Sequence, residues 1–359
     1  NSLAVALDDN LDGWEKLSTN PITPNTVEGD QHHNKYRSWD PFGWFDGEHY
    51  YSIFGGEHPA VAKSKHLEGP WEYTGDLFAH GLEGVSINED VSCAELFRLG
   101  NKDVLLCISH RLGCRYYVGK WKNDQFYPEY HSRMSWTDNM FFAPESLTDS
   151  SGRRIMWAWI LDYRDFSDRA KDQWSGTLSL PRVLNLNKNG SLDIDVAAEV
   201  EKLRYQSFSL PPFVVQADSD ARIDGTFGNS FELIIEFDVS DAQELGVKVC
   251  VSEDESEYTI ISYDQNAELL KVDTTNSGPE KSPKSIESAP LVLSKGEKLI
   301  LRVFVDKSVI EIFANSRQAI ARRIFPEKTD STGVKVFTKG SNVEVTKFKS
   351  WQIAPSNPY

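Results

Sequence analysis

Three stretches of this chain set carboxylates beside aromatic rings: SWDPFG (38–43), NEDVSCAELF (88–97) and NMFFAPESLTD (139–149). Asp40, Glu89, Asp90, Glu95 and Glu145 are among the acids they supply. Two carboxyl groups facing one hollow suit the cleavage of a glycosidic bond. One protonates the leaving oxygen, and the other stabilises or attacks the oxocarbenium-like centre. Flat Trp and Tyr faces nearby would stack on sugar rings. The plain alternative is structural. Asp-Pro is a frequent turn starter, Glu89 and Asp90 read equally as a solvated loop, and most of the ten Trp residues have packing to do.

Whatever positions these acids is built from strands. Short apolar runs such as LAVAL, HYYSIF, DVLLCIS, CRYYVGKW and RIMWAWI are separated by Gly, Asp and Asn turns, the pattern of an all-β protein. LAVALDDNLDGWEKL and AVAKSKHLEGPWEYTG echo one another as strand, polar turn and Trp-Glu strand. Such a repeat suggests the outer hairpin of a propeller blade. In a propeller the first residues of each innermost strand converge on a central funnel, which would gather the three acidic stretches. DVAAEVEKLR predicts a helical linker over 195–206. Beyond it, runs such as NSFELIIEFDVS and KLILRVFVDKSVIEIFAN alternate apolar and polar residues, as the inner faces of a β-sandwich do. TNSGPEKSPKSIES, around 275–290, reads as a long surface loop. The expected organisation is a propeller over 1–194, the linker, and a sandwich over 207–359.

The 359 residues carry a formal net charge of −16. That balance argues against nucleic acid, whose phosphates need clustered Lys and Arg. No apolar run approaches the roughly 18 residues that span a bilayer, so no membrane partner is expected. The four cysteines show neither a CxxC pair nor metal-ligand spacing, and they read as buried free thiols. Neither a metal nor a cofactor is expected. The chain opens on Asn1 in a strand-like run without signal-peptide features, from which a natural start upstream, or on another chain, is expected.

The order of these motifs resembles glycoside hydrolase family 32, the β-fructosidases that include invertases, inulinases and levanases. SWDPFGWFDGEHYYSIFG is similar to the strand carrying that family's Arg-Asp-Pro motif, and VSCAELFRLGNKDVLLCIS to its Glu-Cys-Pro strand. WSGTLSLPRVLNLNKNGSL and LRVFVDKSVIEIFANSRQAIARRIFP resemble its Leu-Pro-Arg segment and its C-terminal sandwich signature. The resemblance implies a five-bladed β-propeller, incomplete at its N-terminus in this chain, followed by a β-sandwich. It implies a retaining two-carboxylate glycosidase acting on fructose-containing or related furanose glycosides. It also points to an extracellular or periplasmic setting. On it, Asp40 takes the place of the transition-state-stabilising Asp.

The chain departs from that pattern in several places. Residues 1–35 hold no Asn-Asp-Pro-Asn-Gly motif for the nucleophile, which is then expected on an upstream segment or a separate N-terminal chain. A rival alignment makes Asp40 that nucleophile. Ser92 stands where the family has its acid/base Glu, Trp39 replaces the Arg of Arg-Asp-Pro with Arg37 close by, and Met140 replaces an acid. Period-two alternation puts Asp90 on the face of Ser92, with Glu89 and Glu95 turned away. Asp90 is therefore the substitute acid, with Glu145 as the other candidate. Arg37, Trp39, Ser92, Glu145 and Trp159 are the expected sugar contacts. His110 reads as a satisfied histidine rather than a ligand, and Asn189-Gly-Ser as a turn or a glycosylation acceptor. A carbohydrate-binding propeller without catalysis is the second reading.

Overall fold

The computed structural model describes residues 1–239 and 241–357. Ser240, the last residue of the NSFELIIEFDVS run, and residues 358–359 lie outside it. The chain forms two compact units. The first comprises residues 1–133, 143–146 and 186–191, and the second 134–142, 147–185 and the chain from 192 onward.

The first unit is built of antiparallel meanders, each strand paired with its neighbours in sequence. A hairpin of β1 (Ala4–Ala6) and β2 (Trp14–Lys16) comes first. A four-stranded sheet follows, of β3 (Phe42–Phe45), β4 (Tyr50–Phe54), β5 (Ala60–Ser64) and β6 (Glu72–Asp76). A second holds β7 (Ser92–Leu99), β8 (Lys102–Ser109), β9 (Gly113–Lys122) and β10 (Gln125–Arg133). These are blade-type sheets, and the two echoing sequences form the matching hairpins β1–β2 and β5–β6. β8 buries every residue from Val104 to Ser109 on both faces, which is why VLLCI runs apolar without alternation. Ile53, Val61, Leu77, Val91, Leu105 and Phe126 pack there as one core.

In the second unit, β12 (Arg154–Ile160) pairs with Thr177–Leu178 and with Arg182–Leu186. β11 (Phe141–Thr148) precedes it, with residues 143–146 counted in the first unit. A seven-residue helix, α1 (Phe166–Asp172), interrupts the strands and buries none of its residues. Its short polar sequence carries no apolar stripe to announce it. The helix expected over 195–206 is smaller. Leu192–Val196 is strand, Ala198–Leu203 is a 3₁₀-helix, and strand resumes at Arg204. Backbone bonds from Ala197 N–H to Pro181 O and from Ala354 N–H to Leu203 O pin both ends, leaving room for only a few helical residues. The polar stretch 275–290 ends in a paired strand, Ile286–Pro290.

Two antiparallel sheets complete this unit. One is ordered Arg204–Leu210, Val343–Ile353, Ser230–Asp238, Leu299–Asp306, Val309–Ala314, Gln318–Arg323. The other runs Ser219–Arg222, Gly333–Lys339, Glu244–Val251, Thr259–Asp264, Leu269–Asp273, Ile286–Pro290. Alternate residues Phe231, Leu233, Ile235 and Phe237 are completely buried and meet Val247 and Val249 in one core. The alternation read from the sequence has become the sandwich interior. Three buried carboxylates of this unit are paired with arginine. Glu232 accepts from Arg204 and Arg302, Glu311 from Arg182 at 2.9 Å, and Glu287 from Arg322 at 3.1 Å.

Candidate active site

The first unit carries an open cavity of about 940 Å³, at the upper end of the range for small-ligand sites. Four short stretches wall it: 34–39 ahead of β3, 55–58 after β4, 86–92 leading into β7, and 109–111 after β8. All lie at the ends of blade strands, where the sheet fixes the backbone and the side chains are free to meet a ligand.

On the first wall the Arg37 guanidinium lies over the Trp39 ring, 4.1 Å from its centroid. The next residue, Asp40, takes a left-handed backbone (φ 39°) ahead of Pro41. Asp tolerates that region at a cost of about 1–2 kcal/mol. Asp40 Oδ2 accepts from the Cys93 backbone N–H at 3.3 Å, and the Cys93 thiol lies 4.0 Å away. Asp40 is not itself among the lining side chains. Its neighbour Trp39 is, and so is Ser92, which precedes its hydrogen-bond partner.

Asp90 is more firmly held. Oδ1 accepts from the Ser92 hydroxyl at 2.7 Å, and Oδ2 from the His110 backbone N–H at 2.9 Å and the His110 ring at 2.5 Å. Burial opposes its ionisation, but these bonds outweigh it and hold the carboxyl below the ordinary range. Glu89 follows the same logic. It is buried, yet bonds from Ser109 (2.6 Å) and Arg111 (2.5 Å) hold it below the usual value. Both groups are therefore acceptors near neutral pH, suited to gripping hydroxyl groups.

Glu89 faces the same cavity as Asp90, contrary to the alternation that turned it away. Residues 86–90 form a turn, not strand, so period two does not apply. The rule fails again just downstream. From Ser92 to Glu95 β7 advances three residues while β8 moves two, from Ile108 to Leu106: a bulge of one residue, with Cys93 at φ 46°. Glu95 is buried and accepts from the Ser146 backbone N–H and hydroxyl.

Glu145 is exposed on β11. Burial first, then the charges of Asp40, Glu145 and Asp90, push the Cys93 thiol up to about 12. The structure thus sets Arg37, Trp39, Asp90 and Ser92 on the cavity wall and Asp40 against Cys93, while Glu145 reaches Cys93 through its charge alone. Trp159 lies in the second unit, two-fifths exposed, its indole N–H donating to Ser175 O. Sequence reasoning missed Asn34, His58, Asn88 and Arg111, which also line the cavity; all sit in polar loops with no distinguishing local signal. It read His110 as uninvolved, whereas the exposed ring lines the cavity and bonds Asp90.

A glycine pair joins two walls. Gly56 exchanges backbone bonds with Val91 (2.8 and 3.1 Å), and a Cβ on Gly55 would meet Val91 O at 2.4 Å. Only a residue without a side chain fits. All four cysteines are free. Among the described residues, no three His, Cys, Asp or Glu side chains gather closely enough for a metal ion, and no helix is long and apolar enough to cross a membrane.

Comparison with known proteins agrees along the whole chain. The profile described as "Glycosyl hydrolases family 32 N-terminal domain" matches residues 1–194, and "Glycosyl hydrolases family 32 C terminal" matches 181–352. A levanase of Bacillus subtilis is 28% identical over 373 residues, covering 95% of this chain and 53% of the levanase. A sucrose-6-phosphate hydrolase of Zymomonas mobilis is 26% identical over 349 residues, covering 89% of this chain and 66% of the relative. The chain thus spans between about half and two thirds of these curated relatives. The crystal structure of fructan 1-exohydrolase IIa from Cichorium intybus superposes with a TM-score of 0.85 at 19% identity, over 99% of this chain and 79% of that one. That likeness is one of fold, a β-propeller followed by a β-sandwich.

Proposed function

The chain belongs to glycosyl hydrolase family 32, and from that premise we propose that it is a glycosidase of the β-fructosidase kind, acting on fructose-containing or related furanose glycosides with retention. The observation that carries this reading is a cavity walled by Arg37, Trp39, Asp90 and Ser92, with Asp40 held at its edge by the Cys93 N–H at 3.3 Å. The relatives are named for levan, fructan and sucrose phosphate substrates, which supports a carbohydrate in that cavity.

The residues divide the work by their surroundings. Asp40, aimed by the Cys93 N–H, supports positive charge developing at the reacting carbon and accepts sugar hydroxyls. Trp39, backed by Arg37, offers a face for a sugar ring. Asp90 and Glu89, held ionised, accept further hydroxyl hydrogen bonds. A proton donor requires a carboxyl held above its ordinary value. Glu89 and Asp90 are held too low for that role, and Glu145 is the remaining candidate for it.

The second reading is a carbohydrate-binding protein that does not cleave. One observation favours it: Ser92, at the head of β7, ties Asp90 into the ionised state. The test is a sensitive sugar-release assay on levan, inulin and sucrose, run beside calorimetric titration. Hydrolysis is expected in the parent. Asp40→Asn is expected to lower it at least about 100-fold with the thermal midpoint unchanged, and Glu145→Gln to lower it more than Asp90→Asn does. Unchanged turnover in Asp40→Asn removes that residue from the mechanism, and binding without product in the parent establishes the second reading.

A further inference from the structure

We infer that Arg115 is the positioning residue of this site: its buried guanidinium turns the backbone of Glu89 and Asp90 so that both carboxylates face the cavity. This rests on the glycosidase reading for its consequence in turnover, but not for its geometry.

Arg115 is the third residue of β9, paired across the sheet with Cys107, and has no exposed surface. A buried guanidinium ordinarily meets a carboxylate. The second unit does this twice, with Arg182 on Glu311 and Arg322 on Glu287 and Asp138. Arg115 is used differently. One terminal nitrogen donates to the backbone carbonyls of Glu89 (3.2 Å) and Asp90 (2.5 Å), and the other to the Tyr117 hydroxyl (2.8 Å). Two consecutive carbonyls bound to one nitrogen must point the same way. An extended strand would send them, and the side chains, to opposite sides. The departure from alternation at 89–90 is what this fork enforces. It is how a cavity acquires two adjacent carboxylates from neighbouring positions.

The fork is itself held. The Tyr117 ring is buried and packs against Phe78 and His131, with centroids 4.9 and 4.7 Å away. Burial, then the charges of Arg115 and Arg133, lowers the His131 pKa to about 4, so the imidazole stays neutral beside the guanidinium. The positive charge beneath the corner also favours the ionised state of Glu89.

The test uses the full chain with Tyr117→Phe, which keeps the ring and removes only the hydroxyl, together with Arg115→Lys and Arg115→Met. Hydrogen exchange of residues 86–92 reads the corner directly. It is expected to rise about tenfold or more in Tyr117→Phe and further in Arg115→Met, with β8 unchanged; Arg115→Lys, able to satisfy one carbonyl, falls between. For fructan hydrolysis KM is expected to rise about tenfold with kcat nearly constant, because misdirected carboxylates lose grip on the sugar. A merely structural role would reduce the folded fraction, lowering apparent kcat at constant KM. Parent-like exchange at 86–92 in a folded Arg115→Met, or in Tyr117→Phe should Arg115→Met not fold, overturns the inference. If the parent cleaves nothing, the functional reading fails while exchange still decides the role of Arg115.

Discussion

In the first unit Glu89 and Asp90 lie under cover yet are held below the ordinary carboxylate range; in the second, Glu287 and Glu311 are raised above it. All four have hydrogen-bond donors. Asp90 accepts three bonds, while Glu311 accepts from Leu180 N–H at 2.6 Å and from Arg182. What separates them is water. Glu89 and Asp90 border a wide cavity, so desolvation is partial and the bonds prevail. Burial is the largest single influence on all four, but at the enclosed Glu287 and Glu311 the bonds and charges no longer outweigh it. A carboxylate at the cavity is kept ready to meet a ligand, whereas one in the dry interior fastens chain to chain.

That contrast can be broken most forcefully at Glu311. Glu311→Ala leaves the wholly buried Arg182 without its counter-charge and should cost about 3–5 kcal/mol in chemical denaturation. Arg182→Met combined with Glu311→Leu should recover most of it, and a single substitution costing under about 1 kcal/mol would remove the pair from the role given it here. Next in size is Gly55→Ala, whose new methyl meets a backbone oxygen at 2.4 Å. It should cost about 1–3 kcal/mol and impair sugar binding, since the displaced partner is the strand leading from Asp90 to Ser92.

The pH dependence of stability sharpens the comparison further. Glu89 is lowered from 4.5, so its contribution is complete above about pH 4.5 and is lost as pH falls through the lower folded value. Glu89→Gln should flatten that acid limb. Glu287 is raised from 4.5, so the fold favours its protonated form, and the cost of ionising it appears as pH rises through the folded value. Glu287→Gln should leave the acid limb in place and relieve the loss above it. Urea midpoints between pH 3 and 7 distinguish the two, and identical profiles would refute the contrast. The smallest expected effect concerns thiols. With Cys93 pushed to about 12 and Cys107 to about 11, neither should react with iodoacetamide at pH 8 until the chain is unfolded.

What was legible in the sequence was whatever local chemistry controls. Turn residues between β-branched and aromatic runs announced the strands, and the Asp-Pro corner announced a fixed carboxylate. The sandwich showed in its alternation because every second residue of a strand such as Ser230–Asp238 packs in the dry interior. The corner at 86–95 was not legible. Its turn and bulge each break period two, and Glu89 was assigned to the wrong side as a result. Arg115 was hidden for another reason. A charged residue in CRYYVGKW reads as solvent-facing, and its partners are carbonyl groups 25 and 26 residues earlier, which carry no side-chain signature. The acids could be picked out by type, but not the fork that aims them.

The extra residue in β7 has a consequence for how this protein could change. Ahead of it the strand serves the hollow; behind it, Glu95 to Leu99 stay knitted to β8. Removing one residue there would act like slipping a gear by a single tooth: Ser92 would swing to the far side while the rest of the blade kept its partners. A lineage could thus lose or regain its grip on a ligand through one codon, without remaking the scaffold.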